Sequence, residues 1–204
     1  MNCLGFWGNF KMGWSMRLVY SRALVIAGLF GINAILLVAF IEQIVYHDLP
    51  CPLCLLQRVG YIAAGMGLAL NLRFDVRPSH YAITLFGALL GGGVSARQSL
   101  LHIVPGSGSY GGEVWGMHMY VAAFLGFVAI VMCVAFMMLF DSQFYEEGNQ
   151  IRSGQAATTH SLGGMALIAV VLFAVLTLGN AVSTALECGA GLCVANPTSY
   201  MLFG

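Results

Sequence analysis

Five long runs of apolar residues, separated by short polar segments, organise the chain. The first extends from Leu18 to Tyr46 and is free of charge from Ala23 to Ile41. The others cover Leu53 to Leu72, Tyr81 to Leu101, Met117 to Phe140 and Ser161 to Val182. A bilayer core about 30 Å thick needs about 20 apolar residues per helix, so each run predicts a transmembrane helix. The second and third runs are interrupted. Gln57 and Arg58 stand near the start of one, and Arg97 and Gln98 near the end of the other. Lys11, Arg17 and Arg22 precede the first run as they would in a signal peptide. The run is too long for a signal h-region, however, and no small-x-small cleavage site follows it, so it reads as a retained helix.

Composition supports this reading. The 204 residues are 59% hydrophobic and 8% charged, with a mean hydropathy of +0.86. Soluble domains carry about 25% charged residues, so this chain cannot cover a folded surface with charge. Disorder is excluded by the apolar mass. The net charge of zero provides no basic field for a phosphate backbone, which argues against nucleic acid as a partner. Membrane lipid is the expected environment.

Charge position predicts orientation. Lys and Arg favour the cytoplasmic side. Lys11, Arg17, Arg22, Arg73, Arg77 and Arg152 fall on one side if the N-terminus is inside. Five spans then put the C-terminus outside. The predicted segments are a cytoplasmic N-terminus (1–17), four helices (18–140), a cytoplasmic loop (141–160), a fifth helix (161–182) and an exported tail (183–204). Of the six cysteines, Cys51, Cys54, Cys188 and Cys193 lie on the outer face, Cys3 inside and Cys133 within a span. Disulfides persist on an oxidising face such as the bacterial periplasm.

Candidate chemistry centres on Cys51-Pro52-Leu53-Cys54. Pro52 suits a first helical turn, where its missing N–H has no partner to lose. Cys54 falls in that turn, where the positive helix end favours an anion. Arg58 follows at i+4 and can reach the same face. Both effects favour the thiolate, the reactive form. A charge inside a span costs ~2.5–3.5 kcal/mol at the helix centre, so Arg58 either snorkels to headgroups or pairs with a thiolate or a bound electron acceptor. A structural disulfide, or a zinc site completed by Cys188 and Cys193, is the alternative use of the pair. His47, His102 and His118 near the outer face raise haem ligation, although interfacial hydrogen bonding is the commoner role.

The run Cys51-Pro52-Leu53-Cys54-Leu55-Leu56-Gln57-Arg58 resembles the signature of the DsbB-type disulfide bond formation proteins. The resemblance extends to Ala96-Arg97-Gln98-Ser99-Leu100-Leu101-His102 and to Gly116-Met117-His118-Met119-Tyr120, covering roughly residues 18–140. It implies an all-α membrane protein, a four-helix transmembrane bundle to which this chain adds a fifth transmembrane helix. It implies a bacterial inner-membrane enzyme that reoxidises a periplasmic DsbA-like thioredoxin-fold oxidase and passes the electrons to a quinone, either ubiquinone or menaquinone. Cys54 would face the quinone with Arg58 beside it, and Cys51 would exchange with a second cysteine pair. Arg97 and His102, at the end of the third helix, would line the quinone site.

The chain departs from the family pattern in one respect. In the best-known members the second cysteine pair lies between helices 3 and 4. Here Ile103 to Gly116 contains no cysteine, and the second pair, Cys188 and Cys193, follows the fifth helix. The glycines between them permit a tight bridge. The expectation is a relocated shuttle pair, with a structural staple as the alternative. A membrane scaffold, or a carrier of reducing equivalents to periplasmic reductases, are the competing functions.

Overall fold

The computed structural model describes residues 18–46, 49–74, 76–103, 113–114, 116–141, 143–144, 163–189, 191, 193 and 200–201. It contains five long helices: α1 (Leu18–Val45), α2 (Pro52–Arg73), α3 (Pro78–Leu101), α4 (Met119–Met138) and α5 (Gly164–Cys188). The N-terminal segment with Cys3, the loop with Arg152, and His47 and Trp115 lie outside the described residues.

Local chemistry sets the helix starts. Prolines 52 and 78 occupy first-turn positions of α2 and α3, where a missing N–H costs nothing. Cys51 caps α2 by accepting a hydrogen bond from the Cys54 N–H. Between α3 and α4 lies a two-strand hairpin, β1 (Glu113–Val114) with β2 (Met117–His118), turned at Gly116 with φ +75°. Helix α4 therefore starts at Met119, two residues later than the apolar pattern suggests.

The bundle encloses an apolar core (Leu29, Ile32, Leu36, Phe127) into which polar side chains, Asn33, Gln43, Gln57, Arg58, Thr84, Ser95, Gln98, Asn180 and Glu187, are also buried, whereas Phe86, Leu90, Met132 and Leu178 are well exposed. An apolar exterior suits lipid rather than water. Four helices, α1, α2, α4 and α5, are long and apolar enough to cross a membrane. Helix α3 falls below them in hydropathy because Thr84, Ser95 and several glycines dilute it. These face inward, and its 24 residues span about 36 Å at 1.5 Å per residue. Its outer face (Ile83, Phe86, Leu89, Leu90) is apolar.

Helix α2 is central, packing on α3, α1 and α5, while α3 also packs on α4 and α1 on α5. Close approach depends on small residues. A Cβ on Gly67 would collide with Thr84 Oγ1 and the His80 carbonyl, and one on Gly65 with the Phe173 ring. Hydrogen bonds mark both ends of the bundle. At one end Ser21 and Tyr81 both bond to Gln143, and Asn71 Oδ1 accepts from the Arg77 N–H at 3.1 Å. At the other end the C-terminal turns of α1, α3 and α5 meet the N-terminal turns of α2 and α4. All cysteines of both pairs lie there.

Gly67→Val should force α2 from α3 and lower stability by about 1–3 kcal/mol. Gly93→Ala, which meets nothing within 4 Å, should leave stability unchanged or raised. Thermal melting of both variants in detergent checks this.

Candidate functional site

Arg58 organises the cysteine end. It is 8% exposed, so it does not snorkel. Its Nη1 donates to Gln43 Oε1 at 2.7 Å and to Asn180 Oδ1 at 3.5 Å, and its Nη2 donates to the Ala39 carbonyl at 2.9 Å. The guanidinium also lies 5.8 Å from the Phe40 ring centroid, within cation–π range. All three acceptors are neutral. Gln43 is held in turn by donating its Nε2 to Ser183 Oγ at 2.7 Å and to Tyr200 Oη at 3.2 Å. One buried cation thus ties α2 to α1 and α5.

A second polar chain reaches the sulfurs. Gln57 Nε2 donates to Gln98 Oε1 at 2.7 Å. That leaves Gln98 Nε2 facing Cys51 Sγ at 3.6 Å and Cys54 Sγ at 3.7 Å. Both cysteines are free thiols in the structure, Cys51 buried and Cys54 partly so. The Cys51 thiol, just outside the helix, is drawn down to about 7. The main cause is the hydrogen bond from the Cys54 side chain, with the Cys54 and Leu53 N–H groups and Gln98 helping; burial opposes them. The nucleophile favoured before any partner arrives is therefore Cys51, whereas helix position and Arg58 had pointed to Cys54. The difference arises chiefly because the Cys54 thiol donates to Cys51 Sγ, and the N-cap geometry adds the α2 N–H groups aimed at the same sulfur.

Beside the sulfurs lies a cavity of about 290 Å³. Ala34, Ile35, Val38 and Ala39 of α1 face Met119, Tyr120, Ala122 and Ala123 of α4 across it, and Cys54, Gln57, Arg58 and Tyr61 of α2 form its floor. An apolar cleft with a few convergent polar groups is the usual form of a small-molecule site, and this one is near the lower size limit of about 300 Å³. Tyr61 is fixed there by donating to the Ala123 carbonyl at 2.8 Å.

The second cysteine pair is bonded: Cys188 and Cys193 form a disulfide with a Cα–Cα distance of 4.5 Å. Helix α5 runs six residues past the predicted end, so Cys188 is its last residue and not part of a free tail. The reason is that Ser183 and Glu187 are anchored against the bundle. Gly189, with φ +57°, ends the helix, and the Met201 N–H returns to the Glu187 carbonyl at 3.4 Å.

Residues 21–111 match the family model described as disulfide bond formation protein DsbB. Over that stretch the chain is similar to the DsbB family. No curated protein and no solved structure matches it. The matched DsbB segment carries α1 to α3, hence Cys51, Cys54, Arg58, Gln57 and Gln98. Helices α4 and α5, and with them Cys188 and Cys193, lie beyond it.

The remaining sequence candidates separate. Arg97 is exposed and does not line the cavity; Gln98, the next residue, faces inward in its place. His102 is half-buried and, like Arg97, does not line the cavity; its Nδ1 is 2.9 Å from the Gln98 carbonyl, so that nitrogen donates. Its ring stacks on Tyr120, which stacks on His118. Cys133 is exposed on the outer face of α4, away from the pair. Among the described residues no group of three or more His, Cys, Asp or Glu is arranged for a metal ion. Sequence reasoning passed over Gln43, Asn180 and Ser183. The available signal was their polarity within apolar runs, since a buried amide needs a partner.

Alkylation of Cys51 should follow a thiolate with a midpoint near pH 7. Reactivity holds above that pH and falls as pH drops through it. Gln98→Leu removes one donor and should move the midpoint upward. Iodoacetamide labelling against pH, with Cys51 peptides quantified by mass spectrometry, measures both.

Proposed function

We propose that this membrane disulfide-formation protein is a quinone-linked thiol oxidase of the bacterial inner membrane, reoxidising a periplasmic DsbA-like thioredoxin-fold partner. The observation that carries the reading is the apolar cavity, which lies directly against Cys54, Arg58 and the Gln57–Gln98 pair. The donor set fits a quinone: an apolar slot for a ring, and amide and guanidinium donors at its inner end for carbonyl oxygens. A quinone held there supplies the two-electron sink.

The chain's own residues do the rest. Arg58 favours negative charge on Cys54, whose sulfur lines the cavity. Gln98 spans both sulfurs and holds them in one orientation. Cys51, on the side away from the cavity, exchanges with the second pair. A partner dithiol opens Cys188–Cys193, and the tail thiols then reduce Cys51–Cys54 by ordinary exchange, each step forming one S–S bond as another breaks. Supporting this order, Glu187, next to Cys188, lies within electrostatic reach of Cys54 and Arg58. Charge supports the orientation. Arg22, Arg73 and Arg77 all sit at the end opposite the cysteines, and this bias favours a cytoplasmic location for that end and a periplasmic one for the sulfurs.

Cys51→Ala or Cys54→Ala should reduce quinone-dependent dithiol oxidation to background; wild-type rates in either would remove the oxidase reading. Arg58→Ala removes the guanidinium from the cavity, where a charge-assisted hydrogen bond to a quinone carbonyl would be worth ~1.5–3 kcal/mol, so the KM for quinone should rise about tenfold or more. Disulfide exchange with the partner should persist. Cys188→Ser should stop turnover with the partner protein, and full activity would make the tail bond a staple.

A further inference from the structure

Glu187 has no counterpart in the mechanism so far. It lies on α5, outside the family-matched segment, and is 3% exposed. Its Oε2 has no hydrogen-bond partner among the described residues. Asn180, Ser183 and Glu187 recur at helical spacing, and the first two bond directly to Arg58 and Gln43, which sets the face that Glu187 shares. The groups around it are Arg58 and Cys54 of α2 and, near Arg58, Tyr200 of the tail. Glu42 of α1 lines the adjoining cavity. A carboxyl so placed, one residue before a redox cysteine, has an unused acceptor and a buried cation nearby.

We propose that Glu187 is the proton acceptor for thiol–disulfide exchange between the two cysteine pairs, keeping the buried charge around Arg58 constant. This rests on the exchange order given above. With Cys51–Cys54 oxidised, the sulfurs carry no charge and ionised Glu187 balances Arg58. A partner dithiol first reduces Cys188–Cys193 to two thiols. The Cys188 thiol gives its proton to the Glu187 carboxylate, and the resulting thiolate attacks Cys51 Sγ. A Cys188–Cys51 bond forms, the Cys51–Cys54 bond breaks, and its electron pair leaves on Cys54 as a thiolate. Arg58 now faces the Cys54 thiolate and a neutral Glu187 acid. The cluster holds one cation and one anion before and after. Without a proton acceptor it would hold an additional buried anion, the costly arrangement in a low-dielectric interior.

The test uses full-length protein freed of quinone, titrated from oxidised to reduced with a small dithiol. Reduced-minus-oxidised infrared spectra should show a protonated-carboxyl C=O stretch appearing in the wild type. The band should be lost in Glu187→Gln and kept in Glu42→Gln. Acid quench and alkylation mapping after a reducing pulse should show transfer from the tail pair to Cys51–Cys54 slowed roughly a hundredfold in Glu187→Gln and partly restored in Glu187→Asp. A wild-type spectrum without the band overturns the proposal even if no variant folds, and so does a band that survives Glu187→Gln. Wild-type turnover with quinone but no carboxyl signal overturns only the role of Glu187. The carboxyl signal without quinone turnover keeps that role and removes the oxidase reading.

Discussion

A guanidinium buried among apolar helices must be given acceptors, and the cysteine end of this protein is arranged around that requirement. Arg58 cannot reach water, and each of its hydrogen bonds is to a neutral oxygen on α1 or α5. Those oxygens are themselves positioned: Gln43 by Ser183 and Tyr200, and Asn180 by donating to the Leu176 carbonyl at 2.9 Å. Leaving such a charge uncompensated would be strongly destabilising. The geometry of three helices therefore follows from one side chain. So does the position of the cavity, which shares Arg58 and Cys54 as its floor.

Neutral partners have a functional side. A carboxylate in direct contact would quench the positive charge, whereas amide and carbonyl oxygens hold the guanidinium in place and leave its field available. Cys54 lies within that field. Gln98 adds a donor that touches both sulfurs equally, so the pair is held as a unit. The segment that matches the disulfide-formation family, residues 21–111, supplies this core, and α4 closes the cavity from the other side.

Much of this was legible in the sequence. Apolar length gave five helices, Pro52 and Cys51 marked the start of α2, and the Cys-x-x-Cys with Arg58 located the site. The errors have physical causes. Apolar pattern ended α5 at Val182, but Ser183 and Glu187 are held by long-range contacts that periodicity does not contain. The resemblance at the end of α3 pointed to Arg97, which is exposed, and at 100° per residue its neighbour Gln98 is the one turned inward. The roles of Gln43 and Asn180 depend on pairings across α1, α2 and α5, and a local reading cannot choose among possible partners.

Helix α5 is synthesised after α1 to α4. When α1 and α2 enter the bilayer, Gln43 has neither Ser183 nor Tyr200 to orient it, and Asn180 does not yet exist. The positive charge of Arg58 is then only half accommodated, and arrival of α5 completes its coordination. Translation order thus makes α5 the closing element around Arg58, joining maturation of the cysteine end to synthesis of the fifth helix.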